Sequence, residues 1–204
     1  MKKILFVLTS HDRKGNTGQP TGFYLPEAAH PWAVLQGEGF EVDFTSPKGG
    51  RPPMDGADSA DAVSRRFLDT QEAMRKIENT PTPAQVRSAD YSAILFVGGH
   101  GTMWDFPDDQ SLAHVAASIY EAGGVVGAVC HGPAALVNLK LSDGRHLVNG
   151  KRVAAFTDDE ERAVNLHGVV PFLLATALRQ RGAIHIAAPN WQANVVVDER
   201  LVTG

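Results

Sequence analysis

The stretch that most constrains the fold is residues 123–135, which read Gly-Gly-Val-Val-Gly-Ala-Val-Cys-His-Gly-Pro-Ala-Ala. Residues 125–129 form a short apolar run rich in β-branched side chains, which is typical of a strand buried on both faces. Cys130 follows at once, and Pro133 then stands in the first turn of a predicted helix. A sharp turn from strand to helix exposes the residue at the corner, as in a nucleophile elbow. This stretch therefore predicts an α/β fold with Cys130 at such a corner.

Cys130 is the only cysteine among the 204 residues. Unpaired N–H groups and the dipole at a helix start favour negative charge, so we expect a thiol pKa below the ordinary value of about 8.5. The alternative is a buried structural cysteine, which behaves as a small hydrophobic residue. The sequence around Cys130 favours a reactive thiol over a structural one, because the thiolate at such a corner is both exposed and nucleophilic.

Strands and helices alternate along the rest of the chain. The apolar patterns predict strands at residues 3–9, 40–45, 91–97 and 125–129, and helices at residues 24–37, 57–80, 111–122 and 169–181. Such alternation predicts a mainly parallel sheet with helices on both faces. Short strands are also predicted at residues 184–187 and 195–197, with a small β-hairpin in which Asn149-Gly150 joins residues 146–148 to residues 152–156. We expect residues 1–204 to form a single domain.

Composition argues against several classes of protein. The net charge is -4 and the pI is near 6.0, without a dense Lys/Arg run, so nucleic acid is not an expected partner. No stretch approaches the roughly 20 apolar residues that span a bilayer, so no membrane partner is expected. A single cysteine forms no internal disulfide, and the apolar run at residues 4–8 is shorter than the roughly 7 to 15 residues of a signal peptide. We therefore expect a soluble cytoplasmic protein.

Three polar loops are predicted at the carboxyl ends of the strands, where the ligand-binding and catalytic residues of parallel sheets usually lie. They are residues 10–22 leading to Glu27, residues 98–107, and Cys130 with His131. Glycines after a strand allow backbone amides to face a ligand, so the Gly99 amide and the amides after Cys130 are candidates for an oxyanion hole. A Gly-Gly pair is equally common in plain turns. A phosphate-binding P-loop is excluded, because no Gly-Lys-Ser/Thr follows.

Glu27 and His131 are candidates for proton transfer. An acid in a first helical turn is commonly only a partner of the helix dipole, but beside a thiol and among aromatic residues the pKa of Glu27 would rise and it could carry a proton. Neighbours on a helix do not face each other, so His131 is not expected to be the base for the thiol, and His100 or Glu27 can serve instead.

The acidic run at residues 158–161 follows a predicted strand. Such a run is usually a solvated helix start, although one member can orient a catalytic histidine. The histidines form no His-x-x-x-His pair, and the single cysteine forms no Cys-x-x-Cys pair, so we expect no protein-encoded metal site.

Four motifs together resemble the PfpI branch of the class I glutamine amidotransferase-like superfamily, and within it the HchA-type heat-shock chaperone and glyoxalase III group. They are Ala-Val-Cys-His-Gly-Pro, Gly-Gly-His-Gly-Thr-Met-Trp-Asp-Phe-Pro, Gly-Phe-Tyr-Leu-Pro-Glu-Ala-Ala-His-Pro and Gly-Phe-Glu-Val-Asp-Phe-Thr-Ser-Pro. The resemblance covers essentially the whole chain and implies a flavodoxin-like α/β sandwich. It implies catalytic roles for Cys130, Glu27 and His131. It also implies a further acid, for which Glu161 matches best and Glu160 and Asp158 remain alternatives. The second motif places Gly98, Gly99, His100 and Trp104 at the predicted oxyanion and substrate site.

The resemblance implies a glyoxalase III that needs no cofactor and converts small aldehydes such as methylglyoxal or glyoxal through a hemithioacetal on Cys130, methylglyoxal giving lactate. Family members are also described as chaperones and protein deglycases, and many are homodimers. Relatives usually continue beyond the Leu-Val-Thr-Gly segment with a last helix, whereas this sequence ends at Gly204.

Two other interpretations stay open at the level of sequence. One is a non-catalytic holdase or oxidative-stress sensor, in which oxidation of Cys130 is the signal. The other is an amidase or cysteine peptidase of the same superfamily. A glutaminase fits least, because the corner lacks the Gly-x-Cys-x-Gly-x-Gln pattern of that branch.

Overall fold

The computed structural model describes residues 2–57 and 61–204. The strands are β1 (Lys3–Val7), β2 (Phe23–Tyr24), β3 (Glu41–Thr45), β4 (Met54–Asp55), β5 (Tyr91–Phe96), β6 (Val125–Ala128), β7 (Arg152–Val153), β8 (Ile184–His185), β9 (Val196–Asp198) and β10 (Leu201–Thr203). The helices are α1 (Leu25–Gly37), α2 (Ala62–Asp69), α3 (Gln71–Glu78), α4 (Thr102–Asp105), α5 (Gln110–Glu121), α6 (Asp158–Ala163) and α7 (Leu174–Gln180). Short 3₁₀ helices span Gly15–Thr17, Pro83–Gln85, Ser88–Asp90 and Gly132–Leu136.

A central sheet with the strand order β3-β1-β5-β6-β10-β9 organises the fold. The strands from β3 to β10 run parallel, and β9 pairs antiparallel with β10 at one edge. Successive residues of a strand point to opposite faces, so Leu5 packs into one buried cluster and Phe6 into the other. Helix α5 covers the first face through Leu112, and α1 and α2 cover the second through Trp32 and Phe67. The predicted flavodoxin-like α/β fold is confirmed.

The order of the strands brings three loops to one edge of the sheet. Strands β1, β5 and β6 are adjacent and parallel, so their carboxyl ends lie side by side. The segments that follow them contain Ser10, Gly99 and Cys130 respectively. The predicted clustering of these loops at the carboxyl edge is therefore present.

The β-hairpin predicted around Asn149-Gly150 is wrong in its position. Residues 147–150 form a turn, and β7 pairs in parallel with β8 instead of folding back on residues 146–148. The turn is tied to a distant segment, because the Gly150 N–H donates to the Gly182 carbonyl at 2.8 Å. The small hairpin of this fold is formed by β9 and β10, and β10 was not predicted as a strand at all.

Three predicted helices are shorter or more broken than their patterns suggest. Within the predicted helix at residues 57–80, residues 58–60 lie outside the described part of the chain, and Thr70 interrupts the rest with an extended backbone at φ -81 and ψ 100. The helix after Cys130 is a 3₁₀ helix of five residues, and the last predicted helix begins only at Leu174. Among the described residues, none of the helices has the length and apolar character needed to cross a bilayer.

Candidate active site

Cys130 stands at a sharp corner between β6 and the 3₁₀ helix Gly132–Leu136. Its φ of 58 lies in the left-handed region, which is strained for a residue with a side chain. The backbone on both sides holds the corner, because the Cys130 N–H donates to the Gly204 carbonyl at 2.7 Å and its own carbonyl accepts from the Phe156 N–H at 2.8 Å. A side chain at Gly132 would lie 2.2 Å from the Phe96 carbonyl, so the chain can turn this tightly only with glycine there.

His131 faces the thiol, although it is the next residue along the chain. Its Nδ1 lies 3.3 Å from Cys130 Sγ, and its ring is 1% exposed. The prediction that these two neighbours do not face each other is wrong, because it assumed helical backbone at Cys130. The left-handed conformation at Cys130 brings the two side chains to the same side.

Glu161 forms a hydrogen bond with the ring nitrogen of His131 that does not face the thiol, and it also binds His100. Its Oε2 lies 2.7 Å from His131 Nε2, and its Oε1 lies 3.0 Å from His100 Nε2. Burial opposes charge on this carboxyl, but the hydrogen bonds from the two histidines outweigh it and lower its pKa to about 2. Glu161 is therefore a carboxylate that accepts a hydrogen bond from each ring.

The other two acids proposed for this position point elsewhere. Glu160 binds the backbone and hydroxyl of Thr157 and accepts from the Trp191 N–H at 2.9 Å. Asp158 binds Thr176. Of the three candidates that the sequence left open, the structure brings Glu161 to His131.

The protonation of His131 follows from its surroundings. Burial lowers its pKa to about 4, and the neighbouring His100 acts in the same direction, whereas the hydrogen bond to Glu161 partly opposes them. The ring is thus neutral at neutral pH. With its Nε2–H donated to Glu161, the unprotonated Nδ1 faces the thiol, which is the arrangement of a general base.

Glu27 approaches the same sulfur with a carboxyl group that burial has made weakly acidic. Burial raises its pKa to about 7, although the Cys130 thiol and the Gly98 N–H lower it by hydrogen bonding. Gly98 lies so close that a side chain there would meet Glu27 Oε2 at 2.3 Å. Gly98 therefore positions Glu27 and does not line the cavity, contrary to the predicted role in substrate binding.

The pKa of the Cys130 thiol is raised, so the predicted lowering is wrong. Burial is the main cause, and a negative charge on Glu27 adds to it. The helix that follows is a single short 3₁₀ segment and supplies too little dipole to compensate. The His131 and Gly99 amides do favour a negative sulfur, but they are outweighed. The thiol and the Glu27 carboxyl form one coupled pair that competes for protons.

The amides of Gly99 and His131 converge on the reacting position. Gly99 has a φ of 109, and a side chain there would lie 2.2 Å from the Gly22 carbonyl, so only glycine brings this amide close. Both amides hydrogen-bond toward the sulfur, which places them where an oxygen on the attacked carbon would acquire charge. Trp104 lies elsewhere: its ring stacks on His11 with the centroids 5.0 Å apart, and it does not line the cavity. The predicted substrate role of Trp104 is therefore not supported.

A cavity of about 680 Å³ opens over Cys130. Its inner end holds Glu27, Gly99, His100, Cys130 and His131. Its outer wall includes three aromatic residues for which the sequence pattern predicts no role, namely Tyr24, Phe156 and Trp191. Trp191 stands alone in a polar segment that follows Pro189, and an isolated tryptophan of this kind is the signal that could have found it.

One group of potential metal ligands exists among the described residues. Ligand atoms of His100, His131 and Glu161 all lie within 4.8 Å of one another. These atoms form the hydrogen bonds that orient His131, so a metal ion bound there would replace those bonds and disable the histidine as a base.

The parallel sheet and this corner define a class of protein, namely an α/β protein in which a cysteine at the end of a central strand contacts a histidine that is hydrogen-bonded to a carboxylate. The chain belongs to the DJ-1/PfpI family, whose family model matches residues 20–204. This agrees with the resemblance drawn from the four motifs.

Several individual proteins are similar to this chain over its full length. The glutathione-independent glyoxalase HSP31 of Saccharomyces cerevisiae is 36% identical, with 100% of this chain and 91% of the relative covered. The crystal structure of glyoxalase III from Candida albicans is 30% identical with a TM-score of 0.91, covering 100% of this chain and 90% of that one. The structure of the Rapid Encystment Protein 24 kDa of Francisella tularensis is 38% identical with a TM-score of 0.95, covering 100% of this chain and 91% of that one.

Proposed function

We propose that this protein is a glutathione-independent glyoxalase that converts methylglyoxal and water to lactate, with Cys130 as the nucleophile. One observation carries the proposal: two proton acceptors reach the Cys130 thiol, namely His131 Nδ1 at 3.3 Å and the hydrogen-bonded Glu27 carboxyl, whose pKa burial raises to about 7. A hydrolase needs a base on the nucleophile, which His131 supplies. Moving a proton between two carbon atoms of a bound substrate needs a second base, and Glu27 is placed to be that base. The names of the Saccharomyces and Candida relatives support the same activity.

In the first step the sulfur adds to the aldehyde carbon. His131 Nδ1, 3.3 Å from Sγ, takes the thiol proton as the C–S bond forms, so the raised pKa of the thiol does not prevent attack. The Gly99 and His131 amides stabilise the oxygen anion, which then takes the proton back from His131. Glu161 stays charged throughout and stabilises the protonated ring. The product of this step is a hemithioacetal.

In the second step Glu27 acts as the carboxylate. It removes the proton from the former aldehyde carbon to form an enediol, and returns it to the neighbouring carbon. The hydroxyl proton of the hemithioacetal passes to the ketone oxygen, so that the electrons of the C–H bond reduce the ketone carbon to an alcohol while the first carbon becomes a thioester. Water then hydrolyses the thioester with His131 as the base, which releases lactate and restores the thiol.

The test is lactate formation from methylglyoxal in the presence of a chelator and without glutathione. The wild-type protein should form lactate, and Cys130→Ala should lose at least ~10³-fold in kcat/KM because the covalent route is closed. Cys130→Ser keeps the shape of the side chain and should lose activity to a similar extent, while circular dichroism reports whether each variant is folded. Lactate formation retained by folded Cys130→Ala would rule out the covalent mechanism.

A second candidate function is an amidase or peptidase, which is favoured by His131 Nδ1 facing the thiol and by Glu161 behind it. Release of an amine from amide substrates without lactate formation from methylglyoxal would select it. The holdase and oxidation-sensor interpretations stay predictions.

We also propose that the protein is a cytoplasmic homodimer with one domain spanning residues 1–204, and that deglycase or chaperone activity accompanies the glyoxalase. These proposals rest on the family resemblance. Sedimentation velocity tests the dimer, which would have twice the chain mass of 21.9 kDa.

A further inference from the structure

The cavity over Cys130 is much larger than a three-carbon substrate requires. Cavities of about 300–1,000 Å³ ordinarily hold drug-sized ligands, and this one has about 680 Å³. Methylglyoxal bound to Cys130 would contact only the inner end, near Gly99 and His131. The outer part of the cavity is left for a larger substituent on the substrate.

The outer wall is apolar and in part aromatic. Phe156 packs on the ring of His131, with the centroids 4.1 Å apart, and Trp191 lies 6.0 Å further out from Phe156. An aromatic path therefore runs from the catalytic histidine to the mouth of the cavity. Val164 and Val195 complete the mouth and are exposed to solvent, as is the Trp191 side chain at 62%. Covering apolar surface of this kind with an apolar ligand group stabilises the complex.

The backbone of Trp191 is fixed by its conformation and by a hydrogen bond. Its φ of 65 is in the left-handed region, and its N–H donates to Glu160 Oε1 at 2.9 Å. Glu160 also caps the start of α6, the helix that carries Glu161. The position of the Trp191 ring is thereby tied to the helix that orients His131.

The charge of the cavity restricts the substituent further. The side chains with formal charge in its lining are the acids Glu27, Asp55 and Glu160, and no Lys or Arg is among the lining residues that the structure describes. An anionic ligand would meet like charge without a cationic partner. The glutathione adduct of an aldehyde, which carries two carboxylates, does not match this wall.

We infer that the site takes neutral 2-oxoaldehydes with an apolar, preferably aromatic, substituent in addition to methylglyoxal, and that Trp191 determines this specificity. The inference rests on the proposed glyoxalase function and adds the substrate class. With such a substrate the same steps balance: one water is added, the ketone carbon is reduced, the aldehyde carbon is oxidised, and a 2-hydroxy acid is released. Phenylglyoxal, which gives mandelate, is the probe.

The experiment compares kcat/KM for phenylglyoxal and methylglyoxal, measured as mandelate and lactate formed with a chelator present and glutathione absent. Trp191→Ala removes the ring but keeps the backbone N–H that binds Glu160. It should lower the ratio of phenylglyoxal to methylglyoxal kcat/KM by at least ~5-fold, about what the loss of one buried aromatic contact produces. Trp191→Phe should retain most of the ratio.

Ile184→Ala is the matched control, because Ile184 is also an exposed apolar side chain, at 53%, but does not line the cavity. Its ratio should equal that of the wild type. If the wild-type protein forms lactate but no mandelate, the substrate class is overturned, and if Trp191→Ala leaves the ratio unchanged, the role of Trp191 is overturned; the glyoxalase function stands in both cases. If neither lactate nor mandelate forms with the wild-type protein, the glyoxalase function and this inference both fail.

Discussion

The left-handed backbone of Cys130 decides which side chains reach its sulfur. It brings His131 Nδ1 to one side, while the Glu27 carboxyl approaches as a second proton acceptor. The sequence predicted the corner, Glu27 and the acid run, because each leaves a local pattern. It could not predict the contact between Cys130 and His131, since that contact depends on one φ angle fixed by Gly204 and Phe156 far along the chain.

Replacement of Glu27 by Gln should abolish turnover but stabilise the fold at alkaline pH. Burial raises the Glu27 pKa from 4.5 to about 7, so the fold favours the neutral carboxyl. The corresponding stability is fully present below about pH 4.5 and is lost as pH rises through about 7. An amide cannot ionise, so between pH 5 and pH 8 the wild type should lose roughly 1–3 kcal/mol of unfolding free energy relative to Glu27→Gln, as measured by urea unfolding.

Glu38→Gln is the control for this measurement, because Glu38 is an exposed acid just beyond the other end of α1. The unfolding free energy of Glu38→Gln should change between pH 5 and pH 8 by the same amount as that of the wild type. A Glu27→Gln protein with the same pH dependence as the wild type would show that the carboxyl is not buried in its neutral form.

Among the elements, the long apolar runs were predicted to within a few residues. Each of these runs buries apolar side chains in the core, so its hydrophobic pattern is strong. They are strands β1, β3, β5 and β6 and helices α1 and α5. Strand β10 was missed because its three residues, Leu201–Thr203, are too few to show a period, and only pairing with β6 makes them a strand. The hairpin predicted from Asn149-Gly150 is wrong because the Gly150 N–H donates to the Gly182 carbonyl and not to a strand on the other side of the turn.

The start of α6 links stability to catalysis. The Thr157 hydroxyl accepts the Glu160 N–H at 3.0 Å, and the Glu160 carboxylate accepts the Thr157 N–H at 2.9 Å, which is a capping box. Thr157→Ala should cost ~1 kcal/mol of unfolding free energy and lower kcat for methylglyoxal several-fold more than it changes KM, because Glu161 then holds His131 less firmly. Thr157→Ser should restore kcat.

Thr82 offers a matched control for that prediction. Its N–H and its hydroxyl both donate to Gln85 Oε1, at 2.9 and 3.1 Å, at the start of the 3₁₀ helix Pro83–Gln85, as those of Thr157 do to Glu160, and it does not line the cavity. Thr82→Ala should reduce stability without reducing kcat. Equal effects of the two variants on kcat would mean that the cap of α6 acts on catalysis only through general stability.

For the whole molecule, charge has the same sign at the surface and in the cavity. The chain carries a net charge of -4, and the charged side chains that line the cavity are acidic. A long-range field of this sign disfavours the approach of anions and leaves neutral aldehydes unaffected.

Added glutathione should therefore slow the reaction. It converts free methylglyoxal into an anionic hemithioacetal that the acidic cavity disfavours, so the initial rate of lactate formation should follow the concentration of free aldehyde alone. The rates are measured at fixed total methylglyoxal and increasing glutathione. A rate that rises with glutathione would show that the adduct is a substrate, contrary to the charge argument.

The parallel order of the central sheet has a consequence for synthesis of the chain. Each neighbouring pair among β1, β5, β6 and β10 is joined by a long crossover, so Glu27, Gly99, Cys130 and Glu161 meet only after distant segments have docked. A nascent chain emerging from the ribosome thus carries Cys130, Glu27 and Gly99 before Glu161, which orients His131, and Gly204, which holds the Cys130 backbone, have been made. Recovery of turnover after dilution from denaturant should lag behind recovery of secondary structure, because the catalytic unit is complete only when the last strand is in place.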